Sequence, residues 1–210
     1  PSHFSFVSVI EMLADMPNVH QKGLVFDVGV NDIKGLHGTP VYTHWKSMLM
    51  RCYSEKFKAA HPAYKDCSVC EGWKRLSVFK EWFDKNYQDD CDLEKDIISK
   101  GNKVYSPQTC CFVPRAINIL ITIDRRGQSL YPVGVHRCQW GNCVRYQAHF
   151  HHNKSTIHVG YFKTPEEAFY AYKSAKEHKV KELAAQYFQE GKITQRVYQA
   201  LMEYQVEITD

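Results

Sequence analysis

The sequence predicts an α+β chain: an N-terminal helical region with a ββα hairpin, then a three-stranded antiparallel sheet packed on a helix, and a helical tail. Three observations predict it. Apolar residues recur at helical spacing over residues 43–53 and 76–87. Residues 92–121 read as strand, turn, strand and helix, with Gly101-Asn102 as a turn. Segments 133–138, 144–151 and 156–162 read as short strands parted by Trp-Gly-Asn and His-Asn-Lys turns, and a near-ideal helix start follows them.

Taken in order, residues 1–40 form an N-terminal extension, helical over 5–16 and then Gly-rich with alternating Val25, Val28 and Val30. Trp45, Met48, Leu49 and Cys52 fall on one stripe of the first amphipathic helix. Val78, Phe79, Trp82 and Phe83 do the same in the second, so both aromatic sets are expected in a core rather than as ligand platforms. The hairpin and a helix from Pro114 to about Ile121 complete a domain at 41–123, and the polar segment 124–129 is the expected boundary. A second domain is expected at 130–180. Thr164 is its helix N-cap, Pro165 the first helical residue, and Glu166 and Glu167 complement the helix dipole. Ala168, Tyr172 and Ala175 leave that helix a face able to lie close to the sheet. Residues 181–210 read as a separate helical tail, broken at Gly191-Lys192 and restarted at Thr194.

A net charge of +4 and a pI of about 8.6 suit a polyanionic partner without requiring one. No run of eighteen apolar residues exists, and the opening Pro-Ser-His-Phe-Ser-Phe lacks the features of a signal peptide. The expectation is a soluble, intracellular protein with no membrane partner. Its eight cysteines then read as reduced thiols or metal ligands. Cys67 and Cys70 have the spacing of half a structural zinc site, with Cys110 and Cys111 able to lend the other half. The competing reading is buried strand thiols, because adjacent strand residues point to opposite faces. Cys138 and Cys143 flank a turn and could pair with each other.

Two patterns carry chemistry. A ββα hairpin of this size can bring a strand carboxylate, Glu94 or Asp96, and the amide oxygen of Asn118 to one hard metal ion, which can orient a phosphodiester. In the second domain, strand alternation puts Arg145, Gln147, His149 and His151 on one face and turns Tyr146, Ala148 and Phe150 to the helix.

Residues 41–122 carry Tyr42-x-x-Trp45-x-x-Met48-x-x-Arg51-Cys-Tyr53, Cys67-x-Val-Cys70-x-x-Trp73, Phe79-x-x-Trp82 and the hairpin. This block resembles phage and intron-type HNH endonucleases of the ββα-metal (His-Me finger) superfamily. The resemblance implies Glu94 and Asn118 as metal ligands, with Mg²⁺ or Mn²⁺ as the ion. It places Lys95 where many relatives have the water-activating histidine, Tyr105 as a tyrosine able to take part in chemistry, and Thr109 where a middle Asn usually orients the base. Asp96 is either a second ligand or a turn residue. The literal His-Asn-His set is absent.

Residues 132–175 carry Gly134-Val-His, Trp140-Gly, Arg145-Tyr-Gln-Ala-His-Phe, His158-Val-Gly-Tyr-Phe and Thr164-Pro-Glu-Glu-Ala. They resemble the three-stranded DNA-binding domain of plant ethylene-response (Apetala-type) factors, a module also found in phage homing endonucleases. The implied DNA-facing set is His136, Cys138, Trp140, Arg145, His149, His151, Thr156 and His158. Together the two resemblances imply a site-specific, metal-dependent DNA endonuclease of homing type and phage origin that acts on double-stranded DNA. A monomer would nick, and double-strand cutting would need a homodimer or a second event. The alternative is a catalytically degenerate DNA-binding regulator or phage accessory factor.

Overall fold

Thr39 caps the first helix, α1 (Pro40–Tyr53), with its hydroxyl accepting from the Tyr42 N–H, and Pro40 takes the first helical position. The helix therefore starts before the apolar stripe that reveals it. The computed structural model describes residues 23–122, 130–153 and 155–208. The helix expected at 5–16 and the linker expected at 124–129 lie outside the described residues. The described chain divides into two units: residues up to Tyr87 with Ser99–Cys110, and Gln88–Ile98 with the residues from Cys111 on.

In the first unit, α1, α2 (Glu55–Ala60) and α3 (Leu76–Asn86) accompany a short parallel pair, β1 (Ser68–Val69) with β3 (Val104–Tyr105). Trp45, Met48, Leu49 and Cys52 are buried from α1, as the periodicity predicts; from α3, Phe79 and Phe83 of the expected stripe are buried together with Leu76, while Val78 and Trp82 are half-buried. The buried Trp45 indole donates to the Trp73 carbonyl at 2.8 Å, and Trp73 meets Phe79 and Trp82 ring to ring. These aromatics form the core.

The second unit holds β2 (Cys91–Glu94), antiparallel to β4 (Cys111–Pro114), and α4 (Arg115–Ile121). It also holds a sheet of order β5 (Val135–Trp140), β6 (Cys143–His152) and β7 (Ser155–Phe162), then α5 (Pro165–Gln189) and α6 (Gln195–Met202). One apolar cluster joins Val113, Ile117 and Leu120 to Val135, Ala148, Phe150, Phe169 and Tyr172. β4, to which β2 is paired, and α4 thus share a core with the three-stranded sheet, and the division of the chain does not follow the boundary expected at 124–129.

Two further expectations are corrected. The segment between β2 and β4 is not a simple hairpin turn, because β3 within it pairs with β1 instead: Ser68 N–H donates to Lys103 O and Cys70 N–H to Tyr105 O, both at 2.9 Å. Gly101, at φ 78°, serves only a local turn closed by Asn102 N–H to Ser99 O. Nor does the tail begin at Lys181. No Gly or Pro interrupts residues 176–189, so α5 runs on to Gln189, and the restart at Thr194 holds, its hydroxyl capping α6. Among the described residues no helix is long and apolar enough to cross a membrane.

Candidate nucleic-acid interface and carboxylate site

Antiparallel pairing decides which side chains share the open face of the sheet. Tyr146, Ala148 and Phe150 pack into the core beside α5, so Arg145, Gln147, His149 and His151 project from the other face. Register then places His136 opposite Gln147, Cys138 opposite Arg145, Thr156 opposite His151 and His158 opposite His149. Side-chain contacts agree. Cys138 Sγ meets Gln147 Oε1 at 3.7 Å, Gln147 Nε2 lies 2.8 Å from His158 Nδ1, and the Thr156 hydroxyl lies 3.0 Å from His151 Nδ1. His149 stacks on His136 with centroids 4.6 Å apart and lies within 6.0 Å of His151 and His158. The sheet brings the whole predicted DNA-facing set onto one surface.

Tyr161 belongs to this face, although plain alternation from His158 would turn it inward. His149 pairs with His158 but Ala148 pairs with Gly160, so β7 carries one extra residue, Val159, at a bulge. The bulge reverses the phase. Val159 and Phe162 pack on the core, while Tyr161 stands opposite Gln147 and meets Trp140 edge-on at 4.9 Å. Gly160, a glycine inside a strand pattern, is the sequence signal that could have revealed it.

His149 sits at the middle of the imidazoles, and its Nδ1 is buried without a hydrogen-bond partner. Burial first, then the charges of His136, His151 and His158, lowers its pKa below the usual 6.5. The fold therefore favours its neutral form. The stability that follows is fully present above about pH 6.5 and is lost as pH falls through the lowered value. The drop in urea midpoint between about pH 7.5 and pH 5.5 should accordingly be smaller in His149→Gln than in wild type. An equal drop in both would show that His149 is not responsible.

At the start of the second unit, β2 alternates. Cys91 and Leu93 are buried, while Asp92 and Glu94 share the other face. Asn118 on α4 donates its Nδ2 to Asp92 Oδ2 at 3.0 Å, and Arg115 Nε lies 3.5 Å from Asp92 Oδ1. The carboxylate that meets Asn118 is thus Asp92, two residues before the Glu94 that the resemblance implies. Its signal was the i, i+2 spacing to Glu94. Asp92, Glu94 and Asn118 each carry a side-chain oxygen of the kind a hard divalent cation takes, and the contact between Asp92 and Asn118 runs through the amide nitrogen.

The other predicted chemical residues are placed differently. Lys95 continues the alternation to the buried side, only 6% exposed, with its Nζ 2.8 Å from Asp96 Oδ2. Tyr105, in the first unit, is buried, and its hydroxyl accepts from Arg51 at 3.5 Å. The Thr109 hydroxyl donates to the Val104 carbonyl at 2.8 Å and meets Ser106 Oγ at 2.8 Å, which secures the local turn.

The cysteines gather into no zinc site. Among the described residues no group of three or more His, Cys, Asp or Glu side chains could hold a metal ion. Cys111 packs with Val113 and Ile117 in the core of the second unit, and Cys67 is buried with its thiol toward the Ala63 carbonyl. Burial raises the Cys70 thiol above its usual pKa. None of the eight cysteines is part of a disulfide. Cys138 and Cys143 do not pair, because register sets Cys143 opposite Trp140 and Cys138 opposite Arg145.

Comparison with protein-family models, with curated proteins and with solved structures finds no match to this chain.

Proposed function

We propose that this chain is a site-specific, metal-dependent DNA endonuclease that reads duplex DNA with the open face of its three-stranded sheet. The observation that carries the reading is the Asp92–Asn118 contact, in which Asn118 comes from a helix that shares one core with that sheet. Recognition and phosphodiester chemistry then sit on a single framework. The sheet face offers Arg145, Gln147 and imidazoles, side chains able to donate to or accept from base edges and phosphates, on a chain of net charge +4. A three-stranded sheet laid in the major groove meets base edges there.

Asp92, Glu94 and the amide oxygen of Asn118 would hold Mg²⁺ or Mn²⁺. Bound there, the cation would offset charge on the phosphoryl oxygens and on the leaving 3′ oxygen. Arg115, within reach of Asp92, supplies a fixed positive charge beside the same carboxylate. Double-strand cleavage would take two copies of the chain or two successive events.

Incubating supercoiled DNA with the wild-type protein in Mg²⁺, Mn²⁺ or EDTA, beside Asn118→Ala, tests the reading. Metal-dependent conversion to open-circular or linear DNA, lost in the variant, is the expected result. Metal-independent binding with no cleavage would instead favour the second reading, a DNA-binding regulator or accessory protein. The burial of Lys95 against Asp96, and the lack of any histidine in residues 88–122, support that second reading. In either case log affinity should fall linearly with log salt, at a slope of about 0.9 per phosphate contact. A flat dependence would exclude duplex DNA as the partner.

A further inference from the structure

Trp140 and Tyr161 stand apart from the rest of the reading face. They come from the two outer strands, β5 and β7, and meet edge to face at 4.9 Å across the central strand. Trp140 is 53% exposed and Tyr161 54%. Neither belongs to the apolar cluster beneath the sheet. Apart from the Cys138 thiol, the other side chains of the set that project here, Arg145, Gln147, Thr156 and the histidines, are polar. A paired indole and phenol held open to water on a polar surface is a common mark of a binding contact.

The chemistry of the major groove narrows what such a pair would meet. Base edges there present donors and acceptors at every position, and the only apolar group among the four standard bases is the C5-methyl of thymine. We infer that Trp140 and Tyr161 form an apolar clamp for a thymine methyl, and that Tyr161 is a specificity-determining residue of the reading face. The inference rests on the DNA reading proposed above. Its basis is the β7 bulge: without Val159 as the extra residue, Tyr161 would turn into the core and Trp140 would stand alone.

The experiment uses the full chain and a randomised duplex pool. Bound sequences are selected, and the best is resynthesised with deoxyuridine in place of each thymidine in turn. That exchange removes the methyl group and leaves base pairing and O4 intact. At one or two positions it should weaken wild-type binding about three- to fivefold, the effect of one buried methyl. Trp140→Ala and Tyr161→Ala should bind the thymine and uracil duplexes equally at those positions, whereas Tyr161→Phe should still discriminate. Both side chains are about half exposed, so these variants should keep the wild-type unfolding midpoint.

Salt-dependent binding indifferent to every uracil exchange would overturn the inference and leave the DNA reading intact. So would a selected sequence without thymine, or discrimination lost in Tyr161→Phe, which would make the hydroxyl the contact. Absence of any salt-dependent duplex affinity would overturn both readings together.

Discussion

Replacing Gly134 with alanine should destabilise the second unit by about 2–5 kcal/mol. Gly134 precedes β5 with φ 74°, a left-handed conformation that costs an L-residue roughly 1–2 kcal/mol. A Cβ at that position would lie 2.2 Å from the ring of Tyr172, which is buried on α5 and packed against Phe150. Neither the ring nor the strand can withdraw without opening the sheet–helix layer, so overpacking adds roughly 1–3 kcal/mol more. Amide exchange at Val135 and Ala148, paired in register across β5 and β6, reports that layer directly. Unchanged protection of these amides in Gly134→Ala would show that the ring adjusts freely and that the close approach is not required.

If the chain is the proposed nuclease, Asp92→Asn should reduce metal-dependent cleavage by roughly 100-fold or more, because a metal contact at that carboxylate would be worth several kcal/mol in the transition state. Duplex affinity should stay within about threefold, since the reading face is untouched and exposed surface substitutions of this kind are small in effect. The asparagine keeps the shape of the side chain and can still meet Asn118. Glu94→Gln tests the alternative directly. If Glu94→Gln is silent in cleavage and Asp92→Asn is fully active, neither carboxylate serves the chemistry. If only Glu94→Gln loses activity, the metal carboxylate is Glu94, and the contact between Asp92 and Asn118 is an ordinary structural hydrogen bond.

These two residues also show where sequence reasoning stops. Period-3.6 and period-2 patterns were enough to find both amphipathic helices and all three strands of the sheet, and to assign Arg145, Gln147, His149 and His151 to one face. Such patterns are set within a single element, so they are readable before the chain is folded. The capping signals at Thr164 and Thr194 were equally local. The positions that were missed depend on a neighbour. Asp92 and Glu94 share a strand face, and only the packing of α4 on β2 decides that Asn118 meets the first of them. Tyr161 alternates inward until a bulge, visible only in the register with β6, turns it out.

The amino-acid sequence by itself determined the identity, order and faces of most helices and strands, and with them the polar surface of the sheet. Only the tertiary structure decided the partners. Residues 95–110 lend β3 to β1, β4 and α4 join the core of the three-stranded sheet, and the four candidate zinc cysteines form no metal-holding group among the described residues. The physical reason is that periodicity records how a segment divides its side chains between core and solvent. Pairing register, bulges and shared cores arise from non-local contacts, which leave no periodic trace in the chain.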